Sequence, residues 1–148
     1  MDDLVKNFRE YRSKMNEKKW DETSARVSAI ANLRLIESVP LAEIDYYFTR
    51  AKVLVSTSSS EGFPNVFLQA ARARTPILSL AVDPDRFIAR NEGGIVADND
   101  YEKLKDGLKL LLNKDERDIK GENLYRYFKA EHDLDNNIKK WEQLLRVL

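Results

Sequence analysis

The sequence predicts an α/β fold, a doubly wound parallel sheet that runs out into a helix-rich C-terminus. Short β-branched or apolar runs punctuate the chain: Lys52–Ser56 (KVLVS), Pro76–Leu80 (PILSL) and Gly94–Ala97 (GIVA). Stretches of helical periodicity alternate with them in the order αβαβαβαβααα, the pattern of a parallel sheet covered by helices on both faces.

The elements follow in order. Leu4, Phe8, Tyr11 and Met15 recur at helical spacing with charge between them. Asp21–Ser28 is polar and reads as a connection. Leu33, Leu35 and Ile36 form a short apolar run, read as a buried strand. Pro40 suits the first turn of a helix whose inner face is Ile44, Tyr47, Phe48 and Ala51. The KVLVS strand gives way to a Ser-rich loop, Thr57–Phe63. Pro64 opens the next helix, carried by Val66, Phe67, Ala70 and Ala71. After PILSL come a turn at Ala81–Asp85, a short helix around Arg86, and GIVA. Asn99 with Glu102 fits an N-cap and capping box before the stripe Leu104, Leu108, Leu111 and Leu112. Lys114–Leu148 reads as two helical pieces broken near Asp133.

Composition excludes several classes of function. The chain has 148 residues with 25 basic and 25 acidic side chains, so no basic field recommends nucleic acid as a partner. It has no cysteine and a single histidine, His132, which removes disulfides, thiolate nucleophiles and Cys/His zinc sites. No metal or cofactor is called for by the remaining residues. No apolar run reaches the roughly 20 residues of a membrane span, and the charged opening makes a poor export signal. Together these point to a cytoplasmic setting.

The segment Ser56–Ala71 (STSSSEGFPNVFLQAA) carries the chemistry. In a parallel sheet, ligands bind outside the carboxyl ends of the strands, and this loop lies at such an end before a helix. Glu61 is a carboxylate in that loop, Gly62 lets backbone approach a ligand, and Pro64 fixes the helix start. Free N–H groups of the first turn and the helix dipole attract a phosphate. Asn65 and Gln69, four apart, share one helix face near the mouth. The alternative is an ordinary strand–loop–helix connection with solvated serines and glutamate.

This segment resembles the signature of the glycogen-synthase-like family of retaining glycosyltransferases, which have the two-domain GT-B architecture. The matching positions are Glu61, Gly62-Phe63, Pro64-Asn65, Val66-Phe67, Gln69, Ala70 and Thr75-Pro76-Ile77. Val39-Pro40 through Ala51, Asp83-Pro84-Asp85, and Gly93–Val96 with Asn99-Asp100 resemble the family in the same order, over roughly Ala31–Leu148. The resemblance implies a Rossmann-like C-terminal domain binding a nucleoside diphosphate sugar, whose sugar passes to an acceptor hydroxyl with retention. By position Glu61 contacts the donor sugar, Gly62, Phe63, Pro64 and Asn65 line the sugar and diphosphate pocket, and Gln69 faces the ribose. A carboxylate beside a developing oxocarbenium ion and backbone dipoles aimed at a departing diphosphate suit that chemistry.

Three departures qualify it. Gln69 is an amide where the family has a carboxylate, and Arg74 stands where it usually has glycine. The Gly-Arg and lysine that hold the diphosphate in the family have no match before Ala31. The resemblance therefore implies residues 1–148 as one partial domain, inactive alone, with two central strands and the acceptor domain supplied elsewhere. The gap calls either for the Leu33 strand to shift and pair directly with the Val53 strand, or for a homo-oligomer or a missing-domain partner to cover it. The rival readings are a non-catalytic remnant or partner subunit of a split enzyme, and a receiver-like module, against which the Ser-Thr-Ser strand end argues. Outside the motif, His132 reads as a surface or cap residue, Trp20 and Trp141 as packing anchors, and Asp83 and Asp85 as a turn. Arg86 and Arg90, four apart, read as a solvated face, with replacement of the missing phosphate-holding cations as the weaker alternative. Lys139–Leu148 reads as a helix packed on its own domain, with a membrane surface as the weaker alternative.

Overall fold

The computed structural model describes residues 17–34, 36 and 39–147. The chain divides into two units, Met1–Ile44 and Asp45–Leu148. In the first, α1 spans Glu17–Ser28. It replaces the connection expected over Asp21–Ser28. Glu17, Lys18, Lys19, Glu22, Ala25 and Arg26 are strong helix formers, and Arg26 in the last turn complements the dipole. The stripe Leu4–Met15 lies outside the described residues. Leu33, Arg34 and Ile36 carry no strand, contrary to expectation, and Leu35 is outside the described residues. Three apolar side chains do not make a strand without a neighbour to pair with. Helix α2, Leu41–Arg50, starts directly after Pro40, whose carbonyl accepts the Glu43 N–H at 2.9 Å.

The second unit is built on β1 (Leu54–Ser56), β2 (Ile77–Ser79) and β3 (Gly94–Val96), parallel and in the order β1-β2-β3. Helix α3 (Asn65–Arg72) joins β1 to β2; a 3-10 turn (Pro84–Arg86) and α4 (Phe87–Arg90) join β2 to β3. After β3 come α5 (Tyr101–Leu112), α6 (Lys114–Tyr127), a π-helical turn (Phe128–His132) and α7 (Leu134–Val147).

Register shows how the sheet is covered. Leu54, Ile77 and Gly94 are partners, as are Val55, Leu78 and Ile95. Alternate residues point to opposite faces. On one face Ile77, with Leu54 and Val96 partly buried, joins Phe67, Ala70 and Ala71 of α3, Phe87 and Ile88 of α4, and Leu124 of α6. On the other, a Cβ at Gly107 of α5 would stand 2.9 Å from Leu78 Cδ1 and 3.2 Å from Ile95 Cγ2. The missing side chain lets α5 lie on that face. Helices thus cover both faces, the doubly wound arrangement the alternation predicts.

Other expectations need correction. Asp100, not Asn99, caps α5: its carboxylate accepts the N–H groups of Glu102 and Lys103 at 2.8 and 3.2 Å. Asn99 is left-handed (φ 63°) and Asp100 has the extended backbone of a cap. In the leucine stripe only Leu111 is fully buried; Leu108 and Leu112 are exposed. Trp141 is no anchor, standing 66% exposed, with Leu134, Ile138, Leu144 and Leu145 exposed beside it. The Trp20 side chain lies outside the described residues. The break near Asp133 is present: Asp133 pairs with Lys129 and accepts the Asn136 N–H at 3.3 Å.

Arg74, the second departure, is a clamp between α3 and α6. Its Nε donates to Glu122 Oε2 at 2.8 Å, and its guanidinium lies 3.5 Å from the Tyr125 ring centroid. Gly121 makes this approach possible, because a Cβ there would sit 2.1 Å from the Arg74 carbonyl oxygen.

Candidate functional site

Glu61 is exposed in the loop between the carboxyl end of β1 and α3. The Ser58 hydroxyl donates to its Oε1, so one of the serines orients the carboxylate rather than merely being solvated. Gly62 has open space where a Cβ would stand. The backbone there is approachable from outside.

Pro64 is buried and acts as the N-cap of α3 with φ −69° and ψ 122°. Its carbonyl accepts the Phe67 N–H at 2.9 Å. No side chain caps this end and no acidic residue occupies the first turn, so the positive end of the helix is unneutralised. Asn65 is exposed at this end. One turn further, Gln69 Oε1 is buried and has no hydrogen-bond partner. Ser79 Oγ, in the last residue of β2, is likewise buried and unpartnered. A buried polar oxygen without a partner is costly, and such sites are candidates for ligand or water.

The next strand's loop approaches the same place. Asp83 accepts the N–H groups of Ile88 at 2.7 Å and Ala89 at 3.2 Å, so its carboxylate is consumed in holding α4. This supports the turn reading of Asp83 and Asp85. No acidic or histidine cluster suited to a metal exists among the described residues. Asp85 and Arg86 are exposed and both left-handed, at φ 53° and 57°. The Phe87 ring behind them meets the Phe63 ring edge-on, centroids 5.3 Å apart, which ties the β2 loop to the Glu61 loop.

The structure thus gathers Glu61, Gly62, Phe63, Pro64 and Asn65 into one loop and helix start, with Gln69 one turn inside. His132 is separate: its Nε2 lies 3.1 Å from the Tyr127 hydroxyl. Burial pushes the Tyr127 phenol above its usual range, with Glu131 and Asp85 adding to the effect. The Phe63–Phe87 bridge was missed in the sequence. Both residues sit in apolar positions, but nothing in their spacing signals a contact between two loops.

The family described as "Glycosyl transferases group 1" matches residues 13–141. A protein of Haemophilus influenzae described as an uncharacterized glycosyltransferase is 23% identical over 106 residues. That alignment covers 70% of this chain and 30% of the relative, so the chain spans under a third of its relative's length. No solved structure matches.

Proposed function

Because the chain belongs to the glycosyl transferases group 1 family, we propose that it forms the donor-binding part of a glycosyltransferase. Residues 1–148 are in this reading a single partial C-terminal domain of a retaining, GT-B-type enzyme. The donor is a nucleoside diphosphate sugar, the acceptor group a hydroxyl, and the setting cytoplasmic. No helix among the described residues is long and apolar enough to cross a membrane.

One observation carries the reading: Glu61 stands exposed, held by Ser58, beside the uncapped and unneutralised N-terminus of α3. A carboxylate next to backbone donors suits a glycosyl diphosphate, whose sugar develops positive charge while its diphosphate departs with negative charge. Glu61 faces the sugar, the backbone of Gly62 to Asn65 lines the sugar and diphosphate, and Gln69 offers its unpartnered oxygen to the ribose hydroxyls.

The isolated chain does not complete a transfer. Val55 of β1 is exposed, and a cavity of about 230 Å³ lined by Tyr47, Phe48, Ala51, Val53, Leu54 and Val55 adjoins that strand. Further strands, from a partner domain or a second copy, are proposed to pair here and bring the acceptor site. The amide at Gln69 favours a second reading, a non-catalytic partner subunit, since a neutral acceptor holds hydroxyls less strongly than a carboxylate.

The test is saturation-transfer NMR of the chain with nucleoside diphosphate sugars. Saturation of the anomeric and ribose protons is expected. No saturation at any concentration up to solubility would overturn the donor reading. A donor that binds but is never turned over by the complete enzyme would select the partner-subunit reading.

A further inference from the structure

We infer that Phe87 is a positioning residue of the site: acting through the Phe63 ring, it holds the loop that carries Glu61. The inference rests on the reading above, in which the Glu61 carboxylate faces the sugar.

The loop has little else to hold it. Among the described residues, 57–63 take part in no backbone–backbone hydrogen bond. The pairing stops on either side: the Ser56 carbonyl accepts the Leu80 N–H at 2.8 Å, and the Pro64 carbonyl accepts the Phe67 N–H at 2.9 Å. The bond from Ser58 to Glu61 is internal to the loop and cannot fix it to the fold. Pro64 is buried and anchors the point where the loop ends. The way back from there to Glu61 runs through Phe63 and Gly62, and glycine leaves the backbone free to turn. The Phe63 ring, 39% exposed, meets Phe87 edge-on, with centroids 5.3 Å apart and 69° between the planes. The exposed carboxylate is only as well placed as that ring.

Phe87 is a fixed point for it. It is 3% exposed and touches rings from two further elements: Phe67 of α3, stacked at 6.2 Å, and Tyr127 at the end of α6, edge-on at 5.1 Å. Asp83 accepts the N–H groups of the next two residues, Ile88 and Ala89, which pins the backbone beside Phe87. Edge-to-face contacts are directional, because the positive rim of one ring seeks the negative face of another. An aliphatic side chain could fill the space under Phe63 without setting its angle. Ile88, adjacent and fully buried, supplies core packing in the same short helix. The ring contact with Phe63 is what sets Phe87 apart from it.

Phe87→Leu keeps a buried apolar side chain and removes the ring, and Ile88→Val is the matched core control. In the 148-residue chain, amide relaxation by NMR should show the Gly62 order parameter falling in Phe87→Leu from the rigid range, about 0.85, to below about 0.6. Ile88→Val should lower Tm and leave Gly62 as it was. In the complete enzyme, assayed well below either Tm, Phe87→Leu should lower kcat about 10-fold or more with little change in the donor KM, as expected when a reacting group is misplaced. Phe63→Leu, at a half-exposed position that folding tolerates, should reproduce both effects, and the double variant should lose little more than either single one. Unchanged Gly62 order in Phe87→Leu and Phe63→Leu would overturn the positioning role while leaving the donor reading intact. So would a kcat in Phe87→Leu equal to that of Ile88→Val. Near-normal kcat in Glu61→Ala would instead remove the sugar-facing reading, and this inference with it.

Discussion

Replacing Gly121 with alanine sets helix propensity against close packing, and the structure decides which wins. Alanine in a helix interior is favoured over glycine by about 1 kcal/mol. Against that, the added methyl would sit 2.1 Å from the Arg74 carbonyl oxygen and 2.9 Å from its carbonyl carbon. An ordinary carbon–oxygen contact is about 3.3 Å, so α6 and the Arg74 turn must part by roughly 1 Å. The obstacle is backbone and cannot rotate away. Parting them strains the Arg74–Glu122 hydrogen bond and loosens Leu124, which is fully buried against α3 and α4. Overpacking of this kind costs about 1–3 kcal/mol. With added loss at Leu124, the net effect expected is about 2 kcal/mol of destabilisation, a fall of about 4–8 °C in Tm for a chain of this size. Thermal unfolding by circular dichroism reads it directly. Gly107→Ala is the control, since its nearest obstacle is the Leu78 side chain at 2.9 Å, which can yield, and its loss should be smaller. A Tm for Gly121→Ala equal to or above that of the natural chain would refute the packing argument.

Further expectations concern the site and the last helix. Gln69→Leu should raise stability by about 1 kcal/mol, because it removes a buried oxygen with no partner, while weakening nucleotide binding. Calorimetric unfolding with and without nucleotide checks both signs. Gln69→Glu should tighten nucleotide binding yet lower the ligand-free Tm, since it puts a carboxylate where nothing compensates it; unchanged affinity would count against the ribose assignment. At the start of α7, the Lys129 hydrogen bond first, then the Asn136 N–H, hold the Asp133 carboxyl below its usual range. A depressed carboxylate pKa stabilises the fold above the unfolded value, near 3.9, and that contribution is lost as pH falls through the lower folded value. Acidification through and below about pH 4 should therefore loosen the junction at Asp133, seen as faster amide exchange at Asn136 and Asn137. Exchange there that does not respond to acid would contradict this.

Where local chemistry dominates, the sequence was legible. KVLVS, PILSL and GIVA each contain a strand because compact apolar runs belong in a buried parallel sheet. Pro64 marks the start of α3 because its ring fixes the backbone there. Legibility failed where tertiary partners decide. Leu33 and Ile36, read as part of a strand, lie in none, whereas the charged α1 forms despite its polarity. Trp141 looked like an anchor, and nothing in its own sequence neighbourhood tells that its face is uncovered. At Asn99-Asp100 two good caps compete, and the left-handed turn settles the matter one residue later. Around the candidate site, the loop position of Glu61 and the helix start at Pro64 are legible in the motif, while the approach of Phe87 to Phe63 required the fold.

The account turns on Glu61, and its replacement by alanine in the complete enzyme tests it most directly. Glu61 is exposed, so as a merely structural residue its removal should shift stability by no more than about 0.5 kcal/mol, whatever the turnover. As the sugar-facing carboxylate it should leave Tm almost unchanged and lower kcat by about 100-fold or more, with nucleoside diphosphate affinity much less affected. Near-normal kcat in Glu61→Ala, whatever the Tm, would contradict the account and show that the carboxylate does not serve the reaction.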